Sequence, residues 1–237
     1  MHQITVNDLV VDLVRKDIKN LHLAVYPPDG RVRVAVPLRV DDEAVRQLII
    51  SKLAWIQRQR ARFARQEPQS PREYISGETH YFRGRRYLLN VIYHDGPTRV
   101  SLRSNEIDLF VRTGSDAAQR KRALQTWYRA QLKEAIPPLM AKWETGVGVH
   151  VADWRVKRMK TRWGSCNIRA RRVWLNLELA KASLACLEYI IVHELIHLLV
   201  PRHNRTFTAH MDRLMPQWRV LRNELNRGPL SHETWDY

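Results

Sequence analysis

The sequence predicts an α+β protein: hairpins and helices in the N-terminal part, then an apolar helix beside a small antiparallel sheet. Three observations lead there. Short runs of alternating apolar residues come in pairs separated by turn residues, as β-hairpins require. Two longer stretches carry apolar residues at helical spacing. A nearly continuous apolar segment, residues 184–200, is closed by Pro201, which cannot continue a helix.

Leu21, Leu23 and Val25 alternate with other residues, as do Val32, Val34 and Val36, and Pro27-Pro28-Asp29-Gly30 lies between the runs, so a hairpin is expected. Asp41 or Asp42 is placed to cap a helix through Val45, Leu48, Ile49, Leu53 and Ile56, which Glu67 to Pro71 breaks. Further hairpins are expected around Arg83-Gly84-Arg85 and Ser104-Asn105. From Asp116 the spacing is helical through Leu124, Trp127, Tyr128, Leu132 and Ile136, and Pro137-Pro138 should kink or stop that helix. Gly146-Val147-Gly148 reads as a boundary, which divides the chain into residues 1–146 and 147–237. Beyond it, strands over 154–163 and 173–177 flank a basic turn, and a last helical stripe from Phe207 to Leu225 is divided by Pro216. No internal repeat is visible.

With 237 residues the chain buries enough apolar surface to fold without staples. Its two cysteines, Cys166 and Cys186, suit a reducing compartment, and the polar start lacks a secretory pattern, so the expected location is the cytoplasm. The apolar run Tyr189 to Val200 is too short to span a bilayer, and no membrane is expected as a partner. Forty Lys and Arg against twenty-four Asp and Glu give a formal charge of +16 and a pI near 10.4. That excess suits either a nucleic-acid partner or a merely solvated basic surface. Arg155, Lys157, Arg158, Lys160, Arg162, Arg169, Arg171 and Arg172 fall in one segment with no acid between Asp153 and Glu178. Alternation along a strand would send some of them to each face of a sheet.

His193-Glu194-Leu195-Ile196-His197 matches H-E-x-x-H. On a helix, two imidazoles four residues apart stand on one face and share a metal, and Glu194 becomes a candidate general base. Zinc is the expected cofactor, because a catalytic zinc takes three protein ligands and keeps one position open for water, whose pKa it lowers toward about 7. The three ionisable residues interrupt an otherwise apolar helix, and a bound cation would offset the cost of burying them. The alternative is a pair of core histidines with Glu194 in a buried ion pair. A third ligand must come from beyond Pro201. His203 leads, at the spacing of the metzincin pattern but with Val200 where that pattern has glycine; His210 and Glu224 are the rivals.

The residues Lys160-Thr161-Arg162-Trp163-Gly164-Ser165-Cys166, Val173-Trp174-Leu175-Asn176, Val192 to His197 and His203-Asn204-Arg205-Thr206-Phe207 together resemble the YgjP-like zinc metallopeptidase family, related to the SprT-like metalloproteases. The resemblance implies a zincin-like catalytic region with His193, His197 and His203 as ligands, Glu194 as catalyst, and a protein or peptide substrate. Trp163, Gly164 and Ser165 are a candidate substrate-edge strand, with Gly164 permitting close approach; the other reading is a structural hairpin whose Trp163 and Trp174 pack the core. Cys166 is expected to be inert, since nothing in the sequence lowers its pKa. Two other functions remain open: a basic nucleic-acid-associated protein with a structural zinc, and a zinc hydrolase of a non-peptide bond.

Overall fold

The computed structural model describes residues 2–26, 29–64, 72–159 and 162–227. The expected turn at Pro27-Pro28, the break at Glu67 to Pro71 and the motif residues Lys160-Thr161 lie outside them. The described residues fall into two compact units, within Met1–Pro71 and within Arg72–Ser231.

In the first unit, β1 (His2–Val6), β2 (Leu9–Lys16), β3 (His22–Tyr26) and β4 (Arg31–Pro37) form a sheet in the order β1-β2-β4-β3, and α1 spans Asp42–Ala64. The expected β3–β4 hairpin is present, with Leu23 opposite Val34 and Val25 opposite Val32. The pair β1–β2 is additional to the sequence expectation. Its two-residue turn, Asn7-Asp8, takes positive φ at both positions, the geometry that matches the twist of a hairpin. Val11, Leu13, Val32, Val34 and Val36 form one core with Val45, Ile49 and Ile56 of α1.

The second unit begins with the same topology. Strands β5 (Thr79–Phe82), β6 (Arg85–Tyr93), β7 (Arg99–Leu102) and β8 (Glu106–Val111) lie in the order β5-β6-β8-β7, followed by α2 (Ala117–Val147). In both sheets the first pair is antiparallel with a two-residue turn at positive φ, the second and fourth strands are parallel, and the third and fourth antiparallel. Aspartates cap both helices: Asp41 accepts from Ala44, and Asp116 from Gln119. The fold therefore contains a repeat that the residues do not display.

Helix α2 is not stopped by Pro137 and Pro138. Its buried stripe, Leu124, Tyr128, Leu132, Ile136 and Met140, recurs every four residues, while both prolines and the residues four before them, Lys133 and Glu134, are exposed. The carbonyls that lose an N–H partner there face water. Gly148, at φ 78, is the left-handed cap of α2. The expected division at 146/147 is thus not where the compact units part, because residues on both sides of it, from Tyr74 to Leu225, share one core.

The sheet beside the apolar helix is mixed, not antiparallel throughout. Strands β9 (Asp153–Lys157), β10 (Gly164–Asn167) and β11 (Arg172–Asn176) lie in the order β10-β11-β9, with β10 antiparallel and β9 parallel to β11. The expected 154–163 strand is split, since β9 ends at Lys157 and β10 starts at Gly164, and Asn176 holds described residues on both sides of the gap. Its side chain accepts from Met159 N (3.2 Å) and donates to Met159 O (2.9 Å) and Arg162 O (2.8 Å). A 3-10 turn, Leu177–Ala180, leads to α3 (Leu184–Ile196), followed by α4 (Arg205–Leu214) and α5 (Trp218–Arg227). Helix α3 ends at Ile196, four residues earlier than Pro201 suggested, because Leu198 and Leu199 turn back with i to i−3 bonds.

Candidate metal centre

Burial of α3 on most sides follows from its composition: Leu187, Ile191, Val192, Leu195 and Ile196 are all within the core. Ser183 caps its start by accepting from Cys186 N. The preceding loop is held by the β5–β6 turn, where Arg83 N donates to Ala180 O and Gly84 N to Lys181 O, both at 3.0 Å.

His193 and His197 share one face of α3, their ring centroids 4.9 Å apart. The turn after Ile196 brings His203 over both, with centroids at 4.9 Å from His193 and 4.7 Å from His197. Among the described residues, these three form the group whose ligand atoms lie within 4.8 Å of one another, and His210 and Glu224 are not in it. Glu224 faces Cys186 instead. Val200 is not among the described residues with positive φ, so the metzincin spacing is reached without the glycine turn.

Asn204 caps α4 by accepting from Phe207 N at 3.0 Å, which explains the His203-Asn204-x-x-Phe207 spacing. The cap places Phe207, 4 % exposed, against all three imidazoles at 4.7 to 4.9 Å between centroids. Sequence reasoning placed Phe207 in a core stripe and in the family motif, without a contact to the histidines. Tyr189, one turn before His193, meets that ring edge-on at 5.9 Å and stacks on Trp218.

Burial, reinforced by the two neighbouring histidines, holds the His193 pKa down at about 3, and burial also lowers that of His197. Both rings are therefore neutral near pH 7, the form that binds metal. His197 Nδ1 lies 3.2 Å from Val200 O, which fixes its tautomer and leaves Nε2 for a ligand. His193 Nε2 and His203 Nε2 approach to 2.9 Å.

Glu194 is buried, and burial raises its carboxyl to about 8 against the opposing pull of Arg162. Its side chain lies on Gly164 of β10. A Cβ on Gly164 would stand 2.7 Å from Glu194 Cγ and 2.8 Å from Cδ, with Oε1 nearer still. The close approach expected at Gly164 is thus made by a side chain. No ion pair of Glu194 is seen among the described residues, so the buried-ion-pair alternative finds no partner. Trp163 packs against the core, whereas Trp174 faces outward between Arg155 and Lys157. The Cys166 thiol is pushed up to about 11 by burial and by Glu194, in keeping with an inert residue.

The family model of the YgjP-like metallopeptidase domain matches residues 19–228. The chain belongs to the YgjP-like metallopeptidase family. Among solved structures, this YgjP-like chain is similar to the metallopeptidase zymogen abylysin of Pyrococcus abyssi, at 16 % identity and a TM-score of 0.35, over 37 % of this chain and 89 % of that one. No curated protein matches it.

Membership in a metallopeptidase family implies a divalent metal, and the three histidines suit one. Nitrogens bound to one zinc at about 2.0–2.1 Å in a tetrahedron lie ~3.3 Å apart, close to the 2.9 Å between the His193 and His203 nitrogens. Among the described residues no helix is long and apolar enough to cross a membrane.

Proposed function

We propose that this YgjP-like protein is a zinc-dependent peptidase of the cytoplasm in which His193, His197 and His203 hold the metal and Glu194 is the general base. The observation that carries the proposal is the convergence of three imidazoles, two of them held neutral by burial, beside a buried carboxyl with no ion pair among the described residues. A structural zinc is usually closed by four protein ligands, and this cluster offers three. When bound, zinc supplies the Lewis acidity that activates water and polarises a carbonyl. A cation bound beside Glu194 would favour its ionised form, and the carboxylate would then accept the water proton and deliver it to the leaving amine. Gly164 lets the Glu194 side chain lie flat against β10, and Phe207 fixes the rings from the other side.

Strand β10 pairs only with β11 among the described residues, which leaves its other edge for an extended peptide. Trp163, Gly164 and Ser165 would align a protein or peptide substrate along that edge, one residue being in contact with Glu194.

The test has two readings. Purified protein should carry about one equivalent of zinc, lost in His203→Ala, and Glu194→Gln should abolish peptide cleavage while keeping the metal. Retention of full activity by Glu194→Gln would remove the general base, and native protein free of metal would remove the whole reading.

A further inference from the structure

The eight-cation segment between Asp153 and Glu178 carries +8 of the formal +16, and the metal centre uses none of it directly. The pairing of β9, β10 and β11 decides where those charges go. Arg155 stands opposite Trp174, Asp153 opposite Arg172, and Lys157 opposite Asn176, so Arg155, Lys157, Arg172 and Trp174 share one face. The other face carries Trp154, Val156, Val173 and Leu175 into the core. Alternation therefore collects the three strand cations, Arg155, Lys157 and Arg172, on the outer face. The exposed turn joining β10 and β11 adds Arg169 and Arg171 at its end.

Trp174 is the centre of this face. The Arg155 guanidinium lies 5.7 Å and the Lys157 ammonium 5.6 Å from its ring. One carboxylate, Asp153, meets the Nε atoms of Arg155 and Arg172 at 2.8 and 2.9 Å. Six of the eight cations are arginines, whose planar fork matches a phosphate better than an ammonium does. An aromatic ring set among cations on an open sheet face is the arrangement that stacks a base and tracks a phosphodiester chain. An acidic peptide would satisfy the charges but leave the ring without a partner.

We propose that the outer face of the β9–β11 sheet binds single-stranded nucleic acid, with a base stacked on Trp174 and phosphates on Arg155, Lys157 and Arg172. The proposal does not depend on the peptidase reading, since this face is the opposite one from Gly164 and Glu194.

The test is fluorescence anisotropy of the full chain with a labelled oligothymidylate across a salt series. Wild type and Glu194→Gln should bind equally, which separates this proposal from catalysis. The Arg155→Ala, Lys157→Ala, Arg172→Ala triple variant should lose tenfold or more in affinity, and its log–log salt slope should be shallower by about 2, at ~0.7 per phosphate contact. Trp174→Ala should weaken binding by about fivefold or more with little change of slope. Photocross-linking of a bromouridine oligonucleotide to the unmutated protein should label the peptide containing Trp174, which keeps the test valid if a variant fails to fold. A triple variant with wild-type affinity and slope, labelling confined to other peptides, tighter binding to duplex, or displacement of the oligonucleotide by polyglutamate at equal charge would each overturn the proposal.

Discussion

Placing a methyl group on Gly164 tests whether β10 holds the Glu194 side chain in place. Gly164 is not at positive φ, so alanine is compatible with the backbone and by itself would stabilise the fold by about 0.4–1 kcal/mol through the unfolded chain. Against that, its Cβ would lie 2.7 Å from Glu194 Cγ and 2.8 Å from Cδ. Glu194 is 5 % exposed, so the carboxyl has no solvent to swing into. Overpacking of this kind costs about 1–3 kcal/mol. The net loss is then roughly 1–2 kcal/mol, or a fall in Tm of about 2–8 °C for a unit of this size.

Thermal unfolding of a double-mutant cycle isolates the contact. In a Glu194→Ala background all three crowding atoms are gone, and Gly164→Ala should be neutral or stabilising, which gives a coupling of about 1–3 kcal/mol. Peptide cleavage by Gly164→Ala should fall about a hundredfold, the usual cost of displacing a catalytic group by ~1 Å, while zinc content is kept. An equal drop in Tm in both backgrounds would refute the contact between Gly164 and Glu194.

The metal-free protein should show opposed pH dependences from the same helix turn. Its His193 is held near 3 against an ordinary 6.5, so the unfolded chain takes up a proton that the fold refuses, and that stability is lost as pH falls from 6.5 toward 3. Glu194, at about 8 against 4.5, keeps a proton that the unfolded chain releases; its contribution is full below 4.5 and lost as pH rises to 8. Urea midpoints of apo wild type should therefore fall relative to apo Glu194→Gln between pH 5 and 8, and a constant difference would contradict the burial account. Gly84, at φ 78 and with Ser183 Cα 3.3 Å from where a Cβ would stand, should lose about 1–2 kcal/mol on mutation to alanine from the left-handed backbone alone; an unchanged urea midpoint would count against the turn's role in holding the loop before α3. Cys166 should alkylate with iodoacetamide more slowly at pH 8 than a free thiol, as a thiol raised to about 11 requires, and mass spectrometry of the labelled peptide would reveal the opposite.

The histidine pair was legible because its information is local: four residues on one helix fix a shared face whatever surrounds them. His203 was legible almost as directly, through the short path that Pro201 forces and the Asn204 cap beside it. The Glu194–Gly164 contact joins residues thirty apart in the chain, and a glycine alone does not say what approaches it. Gly146 to Gly148 is ambiguous for a different reason: a left-handed glycine closes a helix as readily as it opens a linker, and here Gly148 caps α2. The repeated four-strand topology escaped because its two copies share turn geometry and strand order, and Asn7-Asp8 and Arg83-Gly84 reach the same backbone with different side chains.

Several residues outside the metal pattern prove to act on the placement of one carboxyl. Asn176, 5 % exposed, holds Met159 and Arg162, between β9 and β10, with three side-chain bonds, and its own N–H donates to Trp163 O at 2.8 Å. That fixes where β10 begins. Gly164 is the first residue of β10 and the one that Glu194 touches, so the position of the carboxyl is set by a strand whose start is set by Asn176. From the other side, Asn204 fixes the start of α4 and with it Phe207 against the three rings. Two asparagine restraints, one per flank, thus position the groups that the helix turn of α3 supplies, and both lie in segments whose spacing is otherwise unexplained by metal binding.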